Sequence, residues 1–457
     1  MADYNVCMNL DMLKNKTILL LGKTRALDKN EFVSQLKQHN ITCVDAYVDE
    51  VVCVVEGRML NPVEQEEMDR LYKENAAYFM MLSDLERDLC EQIDPDKLHM
   101  SLKLSGDEER LLSFLQNNFI TDELFLRLIS LYDWKGENFF ENDDNRDTTA
   151  ALIKRFYKDI EKNHNVQYAT TGLLHLIIQT DNKELLETIS NLEPIKKALR
   201  EEQIENGTFK ILQAIALHPQ TSAPVIKMFI KYAPLQIKAQ IATRNDLGEK
   251  FQTHLHQEKS ILINEYLAKN STLDHRLAKE MIGGSEFTED ISLFIELDED
   301  IFELLLEKYA DLLAQNPSLS PKMIEKLFGL GERKILLALA TNEALKEDDY
   351  ERLYTMQDKE INHALALNAK VSVVMLQKLY EKGLSHVALA GNTSTPKEIL
   401  SKLSSQEDEE VLTALSKNTS TPVEVLCQLQ LDKRYDRYVK ENNSFGKYIQ
   451  SDNIGWL

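Results

Sequence analysis

The sequence predicts a mainly α-helical protein: a helical-repeat solenoid preceded by a small α/β domain. Two observations predict this class. Between residues 311 and 429, a leucine, a small residue and an asparagine recur at a nearly constant spacing. The first hundred residues lack this period and instead alternate β-branched segments with amphipathic ones. We therefore expect an α/β domain over residues 1–97, a solenoid over 98–431 and a C-terminal capping segment over 432–457.

The amino-terminal elements follow one another as strands and helices. Apolar segments bounded by glycine or polar residues predict strands at residues 17–21, 41–44, 51–55 and 76–81. Helical spacing predicts helices at residues 28–39, from Pro62 to residue 71, and at 83–89. Strands that alternate with helices indicate a small α/β sheet.

Two of these strands carry a family resemblance. Residues 16–22 (Lys-Thr-Ile-Leu-Leu-Leu-Gly) and 51–57 (Val-Val-Cys-Val-Val-Glu-Gly) resemble the first and third strands of a BRCT domain, over about 90 residues of chain. Members that bind phosphopeptides carry Ser or Thr where Leu21 stands. They also carry a lysine in the second helix, where Glu66 and Glu67 lie here. The resemblance therefore implies a packing or docking module rather than a phosphate-binding one.

The repeat can be followed through residues 386–403. A short helix is predicted at residues 386–391, whose alanines allow a neighbouring backbone to approach closely. Asn392 is predicted to adopt the left-handed backbone that ends a helix. Thr395, Pro396 and Glu398 then predict a capping box that begins a second helix. Each helix pair is too small to bury its own apolar side, so it requires its neighbours.

The same signature continues along the chain in both strong and faint copies. The strong copies are centred on Asn316, Asn342, Asn368, Asn392 and Asn418, at spacings of 26, 26, 24 and 26 residues. Fainter copies are predicted at Asn118, His218, Asn245 and Asn270, with the Asn245 unit distorted because its later apolar positions are missing. The predicted array runs from about residue 107 to about residue 431.

Residues 389–396 (Leu-Ala-Gly-Asn-Thr-Ser-Thr-Pro) and 415–422 (Leu-Ser-Lys-Asn-Thr-Ser-Thr-Pro) resemble the leucine-rich repeat variant family. The resemblance implies stacked helix pairs, with units slightly longer than the family's and therefore more HEAT-like. One type of member carries an iron–sulfur cluster. We expect no cofactor here, because no two of the five cysteines are close in sequence: Cys7, Cys43, Cys53, Cys90 and Cys427.

Composition and length agree with a cytoplasmic helical scaffold. The 457 residues are 43% apolar, which is enough for a large core. The first residues lack the basic start and apolar segment of a secretion signal, and no apolar stretch approaches the ~18 residues of a membrane span. The scattered cysteines are predicted to be reduced, buried thiols. We expect a soluble, cytoplasmic protein without a membrane partner.

The chain is strongly acidic, with a formal net charge of −22. The first 100 residues contain 11 basic and 19 acidic side chains, so both parts of the chain are acidic. Such a chain repels phosphate backbones unless a local basic surface overrides the average. Three acidic clusters, at residues 107–109, 298–300 and 408–410, are predicted to be solvated corners between helices rather than metal sites.

Few residues suggest chemistry, and we predict no catalytic, cofactor-binding or metal-binding residue. Residues 22–24 (Gly-Lys-Thr) follow a strand as in a nucleotide-binding loop, but the earlier glycine of that motif is replaced by Thr17. His254 and His256 lack a third ligand at useful spacing, so a surface or inter-repeat pair is favoured. His175 and His218 are predicted to be core or corner residues.

The tail interleaves basic and aromatic side chains over residues 433–440. Stacking combined with cations is how proteins bind single-stranded nucleic acid. The alternative is a helix that caps the last repeat, with Tyr435 and Tyr438 inward and the charges in water. We favour the cap, because a solenoid requires one, and we expect Trp456 to dock onto it.

These features predict a non-enzymatic, protein-binding scaffold or adaptor that combines a helical-repeat surface with a BRCT-like docking module. The alternative is a DNA repair or replication accessory factor that contacts DNA through the head and the tail. An enzyme hidden among the repeats is the least favoured class. The expected partner is another protein, while the net charge disfavours nucleic acid.

Overall fold

The structure, a computed structural model, describes residues 9–158, 164–201 and 203–451. The chain divides between Ile241 and Ala242 into two compact units. Over the described residues, the first unit contains the α/β domain followed by further helices, and the second contains helices only. The predicted domain boundaries at residues 97 and 431 stay predictions.

A parallel four-stranded sheet forms the α/β domain, as predicted. Its strands lie in the order β2-β1-β3-β4, and Ile18 of β1 aligns with Cys43 of β2 and Cys53 of β3. The central strands β1 and β3 are buried on both faces, which explains why they read as continuous apolar segments. The strands and their helices are β1 (Thr17–Leu21), β2 (Thr42–Val44), β3 (Val51–Glu56), β4 (Tyr78–Met81), α1 (Leu10–Leu13), α2 (Lys29–Gln38), α3 (Pro62–Glu74) and α4 (Leu82–Glu91).

Two glycines close the carboxyl ends of the central strands. Gly22 has a φ of +85°, and a Cβ there would lie 2.7 Å from the carbonyl oxygen of Arg58. A Cβ on Gly57 would lie 2.6 Å from the carbonyl oxygen of Leu21. Both positions therefore exclude larger residues, because the two chain segments cross in direct backbone contact.

Helices continue the first unit and pack directly onto the α/β domain. Arg110 forms an ion pair with the buried Glu31 of α2 at 2.8 Å, and Asn117 donates to the Cys90 thiol of α4 at 3.3 Å. The helices are α5 (Pro95–Ser105), α6 (Glu108–Leu115), α7 (Asp122–Ile129), α8 (Asp143–Phe156), α9 (Thr170–Gln179), α10 (Lys183–Asn191), α11 (Glu193–Ala198), α12 (Asn206–Leu217), α13 (Ala223–Tyr232) and α14 (Leu235–Ile241), with a 3₁₀ turn at His164–Tyr168.

The second unit is an array of short helices. One of them, α19, bends at Tyr309 (φ −126°), so its two parts belong to successive repeats. The helices are α15 (Glu249–Gln257), α16 (Ile261–Ala268), α17 (His275–Gly283), α18 (Thr288–Phe294), α19 (Glu299–Leu313), α20 (Pro321–Leu330), α21 (Arg333–Thr341), α22 (Glu347–Thr355), α23 (Lys359–Leu367), α24 (Val373–Glu381), α25 (His386–Gly391), α26 (Lys397–Leu403), α27 (Glu409–Lys417), α28 (Val423–Gln430), α29 (Asp436–Glu441) and α30 (Asn443–Ser451).

The repeat pattern is confirmed by burial. In each repeat a first helix ends just before the asparagine and a second helix follows it; α21, α23, α25, α27 and α29 are first helices. The leucine three residues before each of the five strong-copy asparagines and the small residue two before it are fully buried, and successive first helices pack against one another. The small residue is required because the backbone of the next repeat lies against it.

Two local predictions about the repeat corner are wrong. Asn392 has φ −77° and ψ 121°, an extended backbone, rather than the left-handed one expected. Thr395 does not cap the following helix. Its hydroxyl donates a hydrogen bond of 2.7 Å to the carbonyl of Leu389 in the preceding helix. The Thr395 side chain therefore bonds backward in the chain, which the capping rules did not anticipate.

Two faint copies are shifted by one residue from their predicted positions. Asn117 is buried and its Oδ1 accepts from the Phe119 amide at 2.8 Å, whereas Asn118 is exposed. Arg244 occupies the repeat position that was assigned to Asn245, which is exposed. The backbone carbonyl of Arg244 accepts a hydrogen bond from the side-chain amide of Asn270, as the backbone carbonyl of an asparagine does elsewhere in the array.

The described cysteines are free thiols. Cys53 and Cys90 are buried, and desolvation raises the pKa of each thiol to about 11. Cys43 and Cys427 are half-buried, so the prediction of buried thiols holds for only part of the set. Cys7 lies outside the described residues.

Candidate binding surfaces

A ladder of asparagine side chains connects the repeats of the second unit. The Nδ2 of Asn392 donates to the carbonyl of Ala366 at 2.8 Å and to that of Asn368 at 3.1 Å, both in the preceding repeat. Its Oδ1 accepts from the amide of Ser394 at 2.8 Å. One buried amide thus satisfies three backbone groups. Equivalent donor pairs are formed by Asn270, Asn316, Asn342, Asn368, Asn418 and Asn442.

A second row of hydrogen bonds lies two residues after the asparagines. The hydroxyl of Ser394 donates to the carbonyl of Ala369 at 2.7 Å, and that of Ser420 donates to the carbonyl of Thr393 at 2.6 Å. Ser444 makes the same bond in the last described repeat. Where a serine stands two residues after the asparagine, as in these three repeats, the repeat is bonded to its predecessor at two levels.

The second helices carry ion pairs between successive repeats. Arg352 lies 3.1 Å from Glu325 and stacks at 4.1 Å over the ring of Phe328. Lys382 similarly lies 4.3 Å from the ring centroid of Tyr354. Ion pairs between successive repeats also join Lys322 to Glu299, Lys326 to Glu303 and Lys378 to Glu351. Exposed pairs stabilise little individually, but they already occupy many of the charges on these helices.

One ion pair between first helices gives a test of this arrangement through pH. Asp358 caps α23 and accepts two hydrogen bonds from Arg333, at 2.8 and 3.1 Å. The bonds from Arg333, followed by those from the backbone amides of Ile361 and Glu360, lower the pKa of Asp358 from 3.8 to about 2. Because the folded-state pKa is depressed, this stabilisation is present above about pH 4 and is lost as the pH falls toward 2. We expect Arg333→Ala to return the pKa of Asp358 toward 3.8, measured by carboxyl NMR titration. Arg352→Ala should leave it unchanged, and an unshifted pKa in Arg333→Ala would contradict the pairing.

An open groove lies between the first helices α25 and α27. Its volume is about 560 Å³, and Val387, Gly391, Thr413, Ala414 and Lys417 contribute to its walls. A Cβ on Gly391 would meet nothing closer than the Ala414 Cβ at 4.0 Å. The neighbouring repeats carry a leucine and a lysine at the position of this glycine. The groove therefore exists because a side chain is missing at one position of the first-helix face.

The three acidic clusters begin helices, which agrees with their predicted place at corners. Asp107, Asp298 and Asp408 each accept backbone hydrogen bonds as the N-cap of α6, α19 and α27. The acidic residues that follow lie in the first helical turn, where the helix dipole favours negative charge. Among the described residues, no group of three or more His, Cys, Asp or Glu side chains could hold a metal ion.

His254 and His256 of α15 make separate contacts rather than forming a shared site. His254 is exposed and contacts its own helix at the Lys250 carbonyl, 2.6 Å away. His256 contacts Asn264 at 2.9 Å. His218 is buried at a corner, where its Nδ1 accepts from the Gln220 amide as an asparagine Oδ1 would. His175 is exposed on α9, so its predicted core or corner place is wrong.

The loop after β1 has its backbone donors occupied by carboxylates of the same domain. The Gly22 amide donates to Glu64 at 3.3 Å. Glu86, which is fully buried, accepts from the amides of Arg25 and Ala26 at 2.9 Å each and from that of Leu27 at 3.2 Å. Three successive amides around one oxygen form an anion-binding nest, and here the anion is the protein's own. This loop offers a phosphate few free donors.

The basic tail forms one more repeat. Tyr435 is 2% exposed and Tyr438 is half-buried beneath the Lys417 ammonium, 4.3 Å from the ring centroid. Asn442 continues the ladder through the carbonyls of Ser416 and Asn418. Three tail cations form ion pairs, Arg434 with Asp432, Arg437 with Glu441 and Lys440 with Asp436. These pairs favour the interpretation as a cap over nucleic-acid binding. Trp456 lies outside the described residues.

Within the described ranges, no helix combines the length and apolar character that a membrane span requires. Comparison with known proteins finds no matching family model, no matching curated protein and no matching solved structure.

Proposed function

We propose that this protein is a non-enzymatic scaffold that binds another protein through the first-helix face of its helical array. The observation that carries the proposal is the groove of about 560 Å³ beside Gly391. Its walls are largely small or apolar, and the ladder beneath it holds the helices in place. Such concave, mostly apolar sites with a few polar groups are typical binding sites.

The two family resemblances support the same class. The strand order β2-β1-β3-β4 with parallel pairing is compatible with a BRCT-like docking module. Glu64 of α3 and Glu86 of α4 accept hydrogen bonds from the amides of its first loop, which favours docking over phosphate binding. The helix pairs with buried leucine and alanine fit a leucine-rich repeat variant array. We further propose a cytoplasmic location, for which the free thiols are suitable.

Filling the groove tests the proposal. In Gly391→Trp the new side chain has open space, so we expect the variant to fold with a stability change within about 0.5 kcal/mol. We also expect it to lose the partner, because the indole occupies the groove. The measurement is quantitative mass spectrometry of proteins retained by the immobilised full chain, comparing wild type and variant.

Gly329→Trp is the matched control. Gly329 lies on the second helix α20, outside the groove, and a Cβ added there would likewise meet no neighbouring atom within 4 Å. The proposal expects proteins that are retained by wild type and by this control but not by Gly391→Trp. Equal retention by all three chains would refute the groove as the docking site.

A further inference from the structure

A cavity of about 730 Å³ in the first unit is separate from the groove. The loop that follows α7 contributes Tyr132 and Trp134 to its wall. Lys196, Lys197 and Arg200, from α11 and the turn after it, form part of the opposite lining. Its size lies within the range of about 300–1,000 Å³ that small-molecule sites occupy.

The cavity gathers cations that are not neutralised by ion pairs. Lys197 lies 3.6 Å from Glu201, and Glu193 is the other carboxylate in the lining. In the described part of the chain, neither the Lys196 ammonium nor the Arg200 guanidinium has a carboxylate within ion-pair distance. Three cations therefore face two carboxylates, in a chain whose net charge is −22. A positive site on an acidic protein is a local exception to the average field.

Two cations, Arg200 and Lys231, lie beside the ring of Tyr232. The Arg200 guanidinium lies 5.2 Å from its centroid. The Lys231 ammonium, through a hydrogen bond and its charge, lowers the pKa of Tyr232, and Arg200 lowers it further. Contact with the ring also restrains Arg200 beside the cavity.

Trp134 contributes a buried aromatic ring to this wall. The side chain is 1% exposed, and its Nε1 has no acceptor among the described protein atoms. The rings of Tyr132 and Phe139 hold the indole edge-on, with centroids 4.9 and 5.1 Å away. This packing holds the indole in one orientation in the cavity wall.

We propose that this cavity binds a small organic phosphate. The phosphate lies against Lys196 and Arg200, while the organic part contacts Tyr132. A phosphate suits these donors because it carries up to two charges and several acceptor oxygens, and a guanidinium pairs with two of them at once. The site is independent of the groove, so neither proposal depends on the other.

The experiment uses tryptophan fluorescence of the full chain. The sequence contains two tryptophans, so Trp456→Phe leaves Trp134 as the only one. We expect phenyl phosphate to change its emission in a saturable manner, and phenol at the same concentration to leave it unchanged. An equal effect of both compounds would overturn the proposal, because the anionic group would not be recognised. An absent or unsaturable response to phenyl phosphate would also overturn it.

Two variants in the same background test the residues. Lys196→Ala with Arg200→Ala should weaken phenyl phosphate binding about tenfold or more, since two charge-assisted contacts are lost. Lys103→Ala, which removes an exposed lysine of α5 outside the lining, should bind as the parent does. Lys196→Gln alone keeps the stem and should show a smaller loss. Unchanged affinity in the double variant, with native circular dichroism, would overturn the assignment.

Discussion

Replacing Asn392 with alanine is expected to destabilise the helical array by about 4 kcal/mol, because the Ala366 carbonyl and the Ser394 amide lose their partner at about 1–3 kcal/mol each. The side chain is 4% exposed and bonds to the carbonyls of Ala366 and Asn368. The Asn368 carbonyl keeps a second donor, the Val371 amide at 3.3 Å. Urea unfolding followed by circular dichroism measures the loss, and hydrogen exchange should show that α23 and α25 open first.

Asn392→Asp and Asn245→Ala provide the comparison. The aspartate keeps the shape but places an acceptor against two carbonyl oxygens, so we expect it to destabilise more than alanine does. Asn245 is exposed and one residue away from the repeat position, so its change to alanine should stay within about 0.5 kcal/mol. Equal stability of Asn392→Ala and Asn245→Ala would show that the ladder contributes nothing.

Glu86→Ala should destabilise the α/β domain by about 3 kcal/mol, because three amides lose a charged acceptor. The carboxylate is fully buried and holds the amides of Arg25, Ala26 and Leu27. Hydrogen exchange of residues 25–27 is the direct measurement, and we expect their protection to fall in the variant.

Glu86→Gln and Glu91→Ala separate the charge from the rest of the side chain. Glutamine keeps one acceptor oxygen, so it should protect the three amides better than alanine but less well than glutamate. Glu91 lies on the same helix α4 and is exposed, so its removal should leave the loop unchanged. Full protection of residues 25–27 in Glu86→Ala would refute the nest.

The order of elements and the buried positions of the repeat were predictable from sequence. All four strands lie where their apolar segments indicated, and β1 has the predicted bounds. The leucine and the small residue before each strong-copy asparagine are buried as expected. These features could be predicted because burial imposes a short period on hydrophobic residues, and that period is visible within a single repeat.

The binding surfaces were much harder to predict from the sequence. Gly391 is one glycine among fifteen, and nothing local distinguishes it from a glycine that bounds a helix. Its role depends on the side chains that occupy the same position in the repeats before and after. The cavity beside Trp134 is formed by a loop and a helix that are about 60 residues apart in the chain. No spacing rule connects them.

The asparagines show most clearly which features the sequence determined and which only the tertiary structure decided. Their period was evident in the sequence, and it determined that the carboxy-terminal part of this protein is a stack of helix pairs. The backbone of Asn392 was mispredicted as left-handed, and Asn442 was not recognised as a further member. Only the tertiary structure decided that each amide bonds to the repeat before it, because its acceptors lie 21 to 28 residues away and come within reach only when the helices are stacked.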